Sequence, residues 1–72
     1  MRIVEEIVAA GGKYVDYGVV YVDQEAGDAG YNPAHRVKIS KGKRWVFVDI
    51  RDSELERAEE MIREAWERLR GA

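Results

Sequence analysis

The sequence predicts an α+β fold with the order α-β-β-β-α, in which two helices pack on one face of a three-stranded antiparallel sheet. An apolar stripe at helical spacing lies near each end of the chain, and three β-rich runs lie between the two stripes. A tight-turn signal between the second and third runs indicates that those two strands are antiparallel. With 72 residues, the chain is expected to form a single compact domain over residues 1–72.

Both helices are predicted from their apolar spacing. The first stripe ends at the glycine pair Gly11-Gly12, and it consists of Ile3, Val4, Ile7 and Val8. The second stripe follows Ser53-Glu54-Leu55-Glu56, which reads as a capping box with Ser53 at the N-cap. Its apolar residues are Leu55, Ala58, Ile62, Ala65, Trp66 and Leu69. The first helix is too short to be stable alone, so it depends on tertiary packing.

The strands are predicted at residues 13–23, 35–40 and 43–50, because these runs are rich in Val, Ile and aromatic residues. Gly18 interrupts the first run, which indicates a bulge or bend that changes the face on which the following side chains lie. Ser40-Lys41-Gly42-Lys43 predicts the tight turn. Residues 24–34 form a long connection, and connections of this length are often functional.

The hairpin over residues 35–51 is the strongest functional signal in the chain. It has six basic residues and one acid, a charge of +5, whereas the whole chain carries −2. On the third strand, Trp45 and Phe47 alternate with Val46, Val48 and Ile50. If the aliphatic set faces the helices, the opposite face collects aromatic and basic side chains. One of Tyr14, Tyr17 and Tyr21 joins this face, and the register across Gly18 decides which. The candidate binding residues are Arg36, Lys38, Lys41, Lys43, Arg44, Trp45 and Phe47.

Trp45 and Phe47 allow three interpretations at this stage: core residues, a protein interface or a surface for stacking nucleic-acid bases. If they are core, Val46, Val48 and Ile50 fill the remaining gaps. Strand periodicity alone does not decide which side of the third strand is buried.

Composition argues against several classes of function. The chain has no cysteine and one histidine, so no disulfide or zinc site is predicted, and no cofactor or metal is expected. Neither serine lies in a nucleophile-type turn, and we find no catalytic constellation; the protein is predicted not to be an enzyme. No apolar run approaches the length that spans a bilayer, and no signal peptide is recognised, so a small soluble cytoplasmic protein without membrane contact is expected.

The predicted element order, with Asn32-Pro33-Ala34-His35 ahead of the second strand, resembles the double-stranded-RNA-binding domain. That family carries Gly-Pro-x-His at this point, and Asn32 replaces its glycine. The family's second helix opens with Ser-Lys-Lys-x-Ala-Lys, whose lysines contact phosphates across the major groove. The matching stretch here is Ser53-Glu54-Leu55-Glu56-Arg57-Ala58, whose acidic and apolar residues would repel phosphate. The resemblance implies a similar fold, and it rests on the four residues 32–35.

Three functional hypotheses follow. The favoured one is a non-enzymatic interaction module, inhibitor-like or adaptor-like, that docks a partner protein through the hairpin 35–51 or the loop 24–34. The partner would be another protein, with an acidic one suited to the basic hairpin, or a second copy of the chain. The first alternative is a nucleic-acid-binding domain that uses the same hairpin. The second is a de novo designed miniprotein without evolved activity, favoured by the idealised last helix and disfavoured by the irregular loop.

Overall fold

The computed structural model describes residues 1–21 and 33–71, and these residues have the predicted α-β-β-β-α order. Most of the predicted loop 24–34 lies outside the described residues. The elements in chain order are helix α1 (Arg2–Ala9), strands β1 (Lys13–Tyr21), β2 (Pro33–Lys41) and β3 (Arg44–Ile50), a 3₁₀ helix (Asp52–Arg57) and helix α2 (Ala58–Gly71). The α+β prediction is therefore confirmed.

The three strands form one antiparallel sheet in the order β1-β2-β3. Gly42 and Lys43 form the two-residue turn between β2 and β3, and Gly42 has a φ of 63°. A positive φ at the first central residue alone is typical of a type II′ turn, which matches the twist of a hairpin. The predicted bulge at Gly18 is confirmed: Asp16 pairs with Val37 and Gly18 with Arg36, so one β1 residue between them has no partner.

The core lies between one face of the sheet and both helices. The sheet contributes the alternating residues of β2 and β3, which are Val37, Ile39, Val48 and Ile50. The helices contribute Ile3, Ile7, Ile62, Ala65, Trp66 and Leu69. Because the aliphatic members of the alternation are buried here, the aromatic members of β3 face the other way. The interpretation of Trp45 and Phe47 as core residues is therefore wrong.

The C-terminal helix begins later than predicted. The Glu54 carboxylate accepts a hydrogen bond from the Arg51 amide at 3.1 Å, and the Glu54 amide donates to the Arg51 carbonyl at 2.8 Å. The reciprocal contact therefore starts two residues before Ser53, and it opens a 3₁₀ helix rather than α2. Leu55, predicted to belong to the apolar stripe, stays exposed. Neither α1 nor α2 is long and apolar enough to cross a membrane.

Candidate docking surface

The face of the sheet opposite the helices collects the aromatic and basic side chains of the hairpin. Cross-strand pairing puts Lys13, Ser40 and Trp45 in one row, then Val15, Lys38 and Phe47, then Gly18, Arg36 and Asp49. Tyr17, the unpaired bulge residue, joins them through its ring contact with Phe47. We call this surface the open face, and it consists of Lys13, Val15, Tyr17, Arg36, Lys38, Trp45, Phe47 and Asp49.

Three aromatic rings form a continuous cluster on the open face. The Phe47 ring centroid lies 5.2 Å from that of Trp45 and 5.9 Å from that of Tyr17, with interplanar angles of 64° and 65°. These are edge-to-face contacts, the arrangement that the charge distribution of aromatic rings favours. The residues remain 56% (Trp45), 42% (Phe47) and 50% (Tyr17) exposed. Large rings with this much accessible surface are unusual on a monomer unless they bind something.

Two cations cover these rings from within the same surface. The Lys38 Nζ lies 5.2 Å from the Trp45 ring centroid, and the Arg36 guanidinium carbon lies 5.1 Å from that of Phe47. Arg36 also binds Asp49 through two parallel hydrogen bonds of 2.7 and 3.0 Å. The hydrogen bond from Arg36 holds the pKa of Asp49 below its ordinary value. This bidentate pair fixes the guanidinium over Phe47 and neutralises much of its charge locally.

The other predicted basic residues are spread over different parts of the hairpin. The Lys41 Nζ donates to the Ala10 carbonyl at 2.7 Å, where it satisfies a C-terminal carbonyl of α1. Lys43 is exposed in the turn. Arg44 is exposed at the start of β3 and, with Lys41, Leu69 and Arg70, lines a cavity on the helix side. The structure therefore brings together Arg36, Lys38, Trp45 and Phe47, and leaves Lys41, Lys43 and Arg44 around the tip.

The sequence alone does not decide which tyrosine lies on the open face, and Val15 was not predicted to lie there. Tyr17 joins the open face because the bulge makes it the extra residue of β1, while Tyr14 packs against the core. Tyr17, Val20, Arg36 and Phe47 line a shallow groove of about 310 Å³ at one end of the surface. Val15 could have been found from the alternation with Tyr14, but the position of Tyr17 depends on how the strand resumes after Gly18.

A second polar cluster lies on the helix side of the sheet. The His35 Nε2 is 2.6 Å from the Asp16 Oδ1, and the same oxygen accepts the Gly18 amide at 2.7 Å. The Gly18 hydrogen bond is the main cause that lowers the pKa of Asp16, and His35 adds to it. Burial, followed by the charge of Asp16, raises the pKa of the Tyr14 hydroxyl. His35 on β2 is thus linked to Asp16 on β1, beside the bulge.

These three polar residues lie beside a cavity of about 240 Å³ whose other walls are mainly apolar. The described residues that line it include no serine, cysteine or lysine, the side chains that most often act as nucleophiles. Within residues 1–21 and 33–71, no three histidine or acidic side chains are grouped closely enough to hold a metal ion. The pair of Asp16 and His35 has a clear structural role, which is to fix the start of the bulge.

Searches against protein-family models, curated proteins and solved structures found no match to this chain. Two features of the structure bear on the resemblance to the double-stranded-RNA-binding domain. Pro33, Ala34 and His35 lie inside β2 rather than ahead of it, and Asn32 lies outside the described residues. The segment before α2 carries Asp52 and Glu54 in its first turn, where that family has phosphate-binding lysines. Negative charge at this point opposes contact with a phosphate backbone.

Proposed function

We propose that this protein is a non-enzymatic interaction module that docks an acidic protein partner through its open face. The observation that carries the proposal is the exposed aromatic cluster of Tyr17, Trp45 and Phe47, with the cations of Arg36 and Lys38 over two of its rings. Tyrosine, tryptophan and arginine are the residues that most often dominate the binding energy of protein interfaces. Here they adjoin one another on an uncovered sheet.

The geometry of the rings favours a protein over a single-stranded nucleic acid. Two adjacent bases that stay stacked on each other are nearly parallel, so they cannot both stack on neighbouring rings that are steeply inclined to each other. Trp45 and Phe47 are inclined at 64° to each other, and Lys38 and Arg36 already cover one side of each ring. Such a surface is uneven, with edges and a groove, and it suits the side chains of a folded or extended protein segment.

The charge of the open face favours an acidic partner. Its cross-strand rows contain Lys13, Arg36 and Lys38 against the single carboxylate of Asp49, which leaves a net charge of +2. Asp49 is already bound to Arg36, so Lys13 and Lys38 are the charges that a partner would meet. Carboxylates placed opposite these lysines would speed association and fix the orientation of the complex.

Peptide display tests this proposal with defined ligands. Linear random peptides are selected against the immobilised protein, and the best binder is then synthesised and titrated by calorimetry. We expect the selected sequences to be acidic. Trp45→Ala should weaken binding by about 30-fold or more, which corresponds to the 2 kcal/mol typical of a central interface residue. Higher salt should also weaken the binding of the peptide.

Val8→Ala is the matched control, because Val8 is also a large exposed apolar residue but lies on α1. Binding that falls equally in both variants, or a selection that yields no acidic sequence, would contradict the proposal.

A nucleic-acid binder is the second candidate, supported by the 56% exposure of the Trp45 ring on a surface that also carries Lys13 and Lys38. Its test is fluorescence anisotropy with a labelled oligothymidine. Binding that persists near about 150 mM salt and is lost in Trp45→Ala would replace the protein partner with nucleic acid. If neither peptide nor oligonucleotide binds, the designed miniprotein without activity becomes the better description.

A further inference from the structure

The two edges of the sheet differ in how well they are protected from pairing with another strand. On β1, the bulge at Gly18 interrupts the ladder and increases the local twist, and both effects discourage pairing. On β3, all seven residues pair with β2 in one continuous register, with no bulge and no proline. β3 is therefore the edge that remains suitable for a further strand.

The backbone of β3 offers regularly spaced hydrogen-bonding groups along its outer side. A two-residue turn is closed by a hydrogen-bonded pair, which here consists of Lys41 and Arg44. Hydrogen-bonded and non-hydrogen-bonded pairs alternate along an antiparallel ladder, so the backbone groups of Val46, Val48 and Ile50 also bond to β2. The N–H and C=O groups of Trp45, Phe47 and Asp49 then point away from the sheet. No hydrogen bond from another described element reaches these three amides.

The sequence of β3 is compatible with pairing to itself about a two-fold axis. When two copies align antiparallel with Phe47 at the centre, all seven residues find a partner. Phe47 then lies opposite Phe47 of the second copy, Val46 opposite Val48, Trp45 opposite Asp49, and Arg44 opposite Ile50. No like charges face each other, and apolar or aromatic residues occupy the middle of the strand, as stable cross-strand pairs require. Since Phe47 is one of the outward-bonding residues, the centre is a hydrogen-bonded pair.

We propose that β3 is the interface of a homodimer, in which two copies join their sheets edge to edge into one antiparallel sheet of six strands. The open faces of the two copies would then be continuous, with the Phe47 rings adjacent at the axis. A small domain also gains apolar burial and hydrogen bonds in this way. This inference is independent of the docking proposal, because it concerns the backbone edge and is tested with this protein alone.

Sedimentation equilibrium tests the dimer directly. We expect the average mass to rise toward twice the chain mass of 8.3 kDa as concentration increases. A range of roughly 5 to 500 µM would cover the association of a weak or moderate dimer. Phe47→Lys should abolish the rise, because it places two lysines directly opposite each other at the axis. The circular dichroism spectrum checks that the variant stays folded.

Val15→Lys is the matched control. Val15 is 43% exposed against 42% for Phe47, and it lies in the same cross-strand row of the open face but on β1. The proposal predicts that Val15→Lys dimerises like the wild type. Loss of the dimer in both variants would mean that the copies meet through their open faces, which would overturn the edge pairing. A wild-type protein that stays monomeric throughout would also overturn it.

A cysteine variant keeps the proposal testable if Phe47→Lys fails to fold. The chain has no cysteine, so Phe47→Cys introduces a single thiol. In the proposed register, the two Cα atoms at position 47 lie about 5.5 Å apart, so the two thiols are within reach of a short bifunctional maleimide. Cross-linking should give a covalent dimer of Phe47→Cys and little of Val15→Cys. Equal cross-linking of the two variants would contradict the proposal.

Discussion

Gly12 occupies the tightest position in the core, and its replacement by alanine should destabilise the protein strongly. A Cβ atom at this position would lie 2.8 Å from the Ile7 Cγ2, and 2.8 and 2.9 Å from the Cη2 and Cζ3 atoms of the Trp66 ring. Carbon atoms in contact normally stay about 3.5–4.0 Å apart. Ile7 is 0% exposed and Trp66 2% exposed, so neither side chain can move into solvent without opening the core.

The expected cost of Gly12→Ala is about 2 kcal/mol, since one extra methyl group in a well-packed core costs about 1–3 kcal/mol. For a domain of this size, each kcal/mol shifts the midpoint of thermal unfolding by about 4–8 °C, so we expect a decrease of about 8–16 °C. Thermal and urea unfolding followed by circular dichroism would measure it. Gly12 has no positive φ, unlike Gly11, so backbone strain does not add to the effect.

Two further variants make this prediction specific. Gly71→Ala is the control, because a Cβ at Gly71 meets no atom within 4 Å, and it should change stability by about 0.5 kcal/mol or less. Trp66→Phe removes the ring atoms that an added Cβ would contact. The double variant with Gly12→Ala should therefore be more stable than the sum of the single effects by at least about 0.5 kcal/mol. Wild-type stability in Gly12→Ala, or simple additivity in the cycle, would refute the reasoning.

Three other predictions separate core, capping and electrostatic contributions. Trp45→Ala should lower the free energy of unfolding by about 1 kcal/mol or less, because it removes only an exposed ring contact, whereas Ile39→Ala should cost about 2–5 kcal/mol in urea unfolding. Lys41→Met should cost about 1 kcal/mol, since the last carbonyl of α1 loses its bonded ammonium; an unchanged melting temperature would disprove this role. The hydrogen bond from Arg36 lowers the pKa of Asp49 in the folded protein. The ionised Asp49 therefore stabilises the fold fully at neutral pH, and this contribution is lost as the pH falls below the ordinary carboxyl range. The difference in melting temperature between wild type and Arg36→Gln should therefore shrink on acidification, and a constant difference would contradict the assignment.

The spacing of apolar residues was sufficient to predict the helices and strands. It also predicted which side chains of β2 and β3 lie on the same face of the sheet. Val37 and Ile39 lie opposite Val48 and Val46, so both strands point the same residue type toward the helices. The side to be buried could be settled only by the helices, whose apolar stripes pack against the aliphatic side of β2 and β3 and leave the aromatic side of β3 uncovered. That is a property of the assembled layers rather than of any single strand.

Two other features could not be predicted from short sequence patterns. Lys41 was predicted as a binding residue, but its Nζ bonds to Ala10, 31 residues away, after α1 and the hairpin have packed. The capping box predicted at Ser53 was wrong, because the Glu54 carboxylate reaches back to the Arg51 amide at the point where the chain leaves β3. The Lys41 contact has no signature within a window of a few residues. The Arg51 contact is local, but it lacks the serine or threonine by which a capping box is recognised.

The central claim, that the open face is the docking surface, is tested most directly by a ¹⁵N-labelled NMR titration with the synthetic acidic peptide obtained by display. We predict that the largest shift changes fall on the backbone amides of Tyr17, Lys38 and Phe47 and on the indole N–H of Trp45, while the amides of α2 change little. Changes centred on α2, or on the cavity beside His35 and Asp16, would place binding elsewhere and contradict the account.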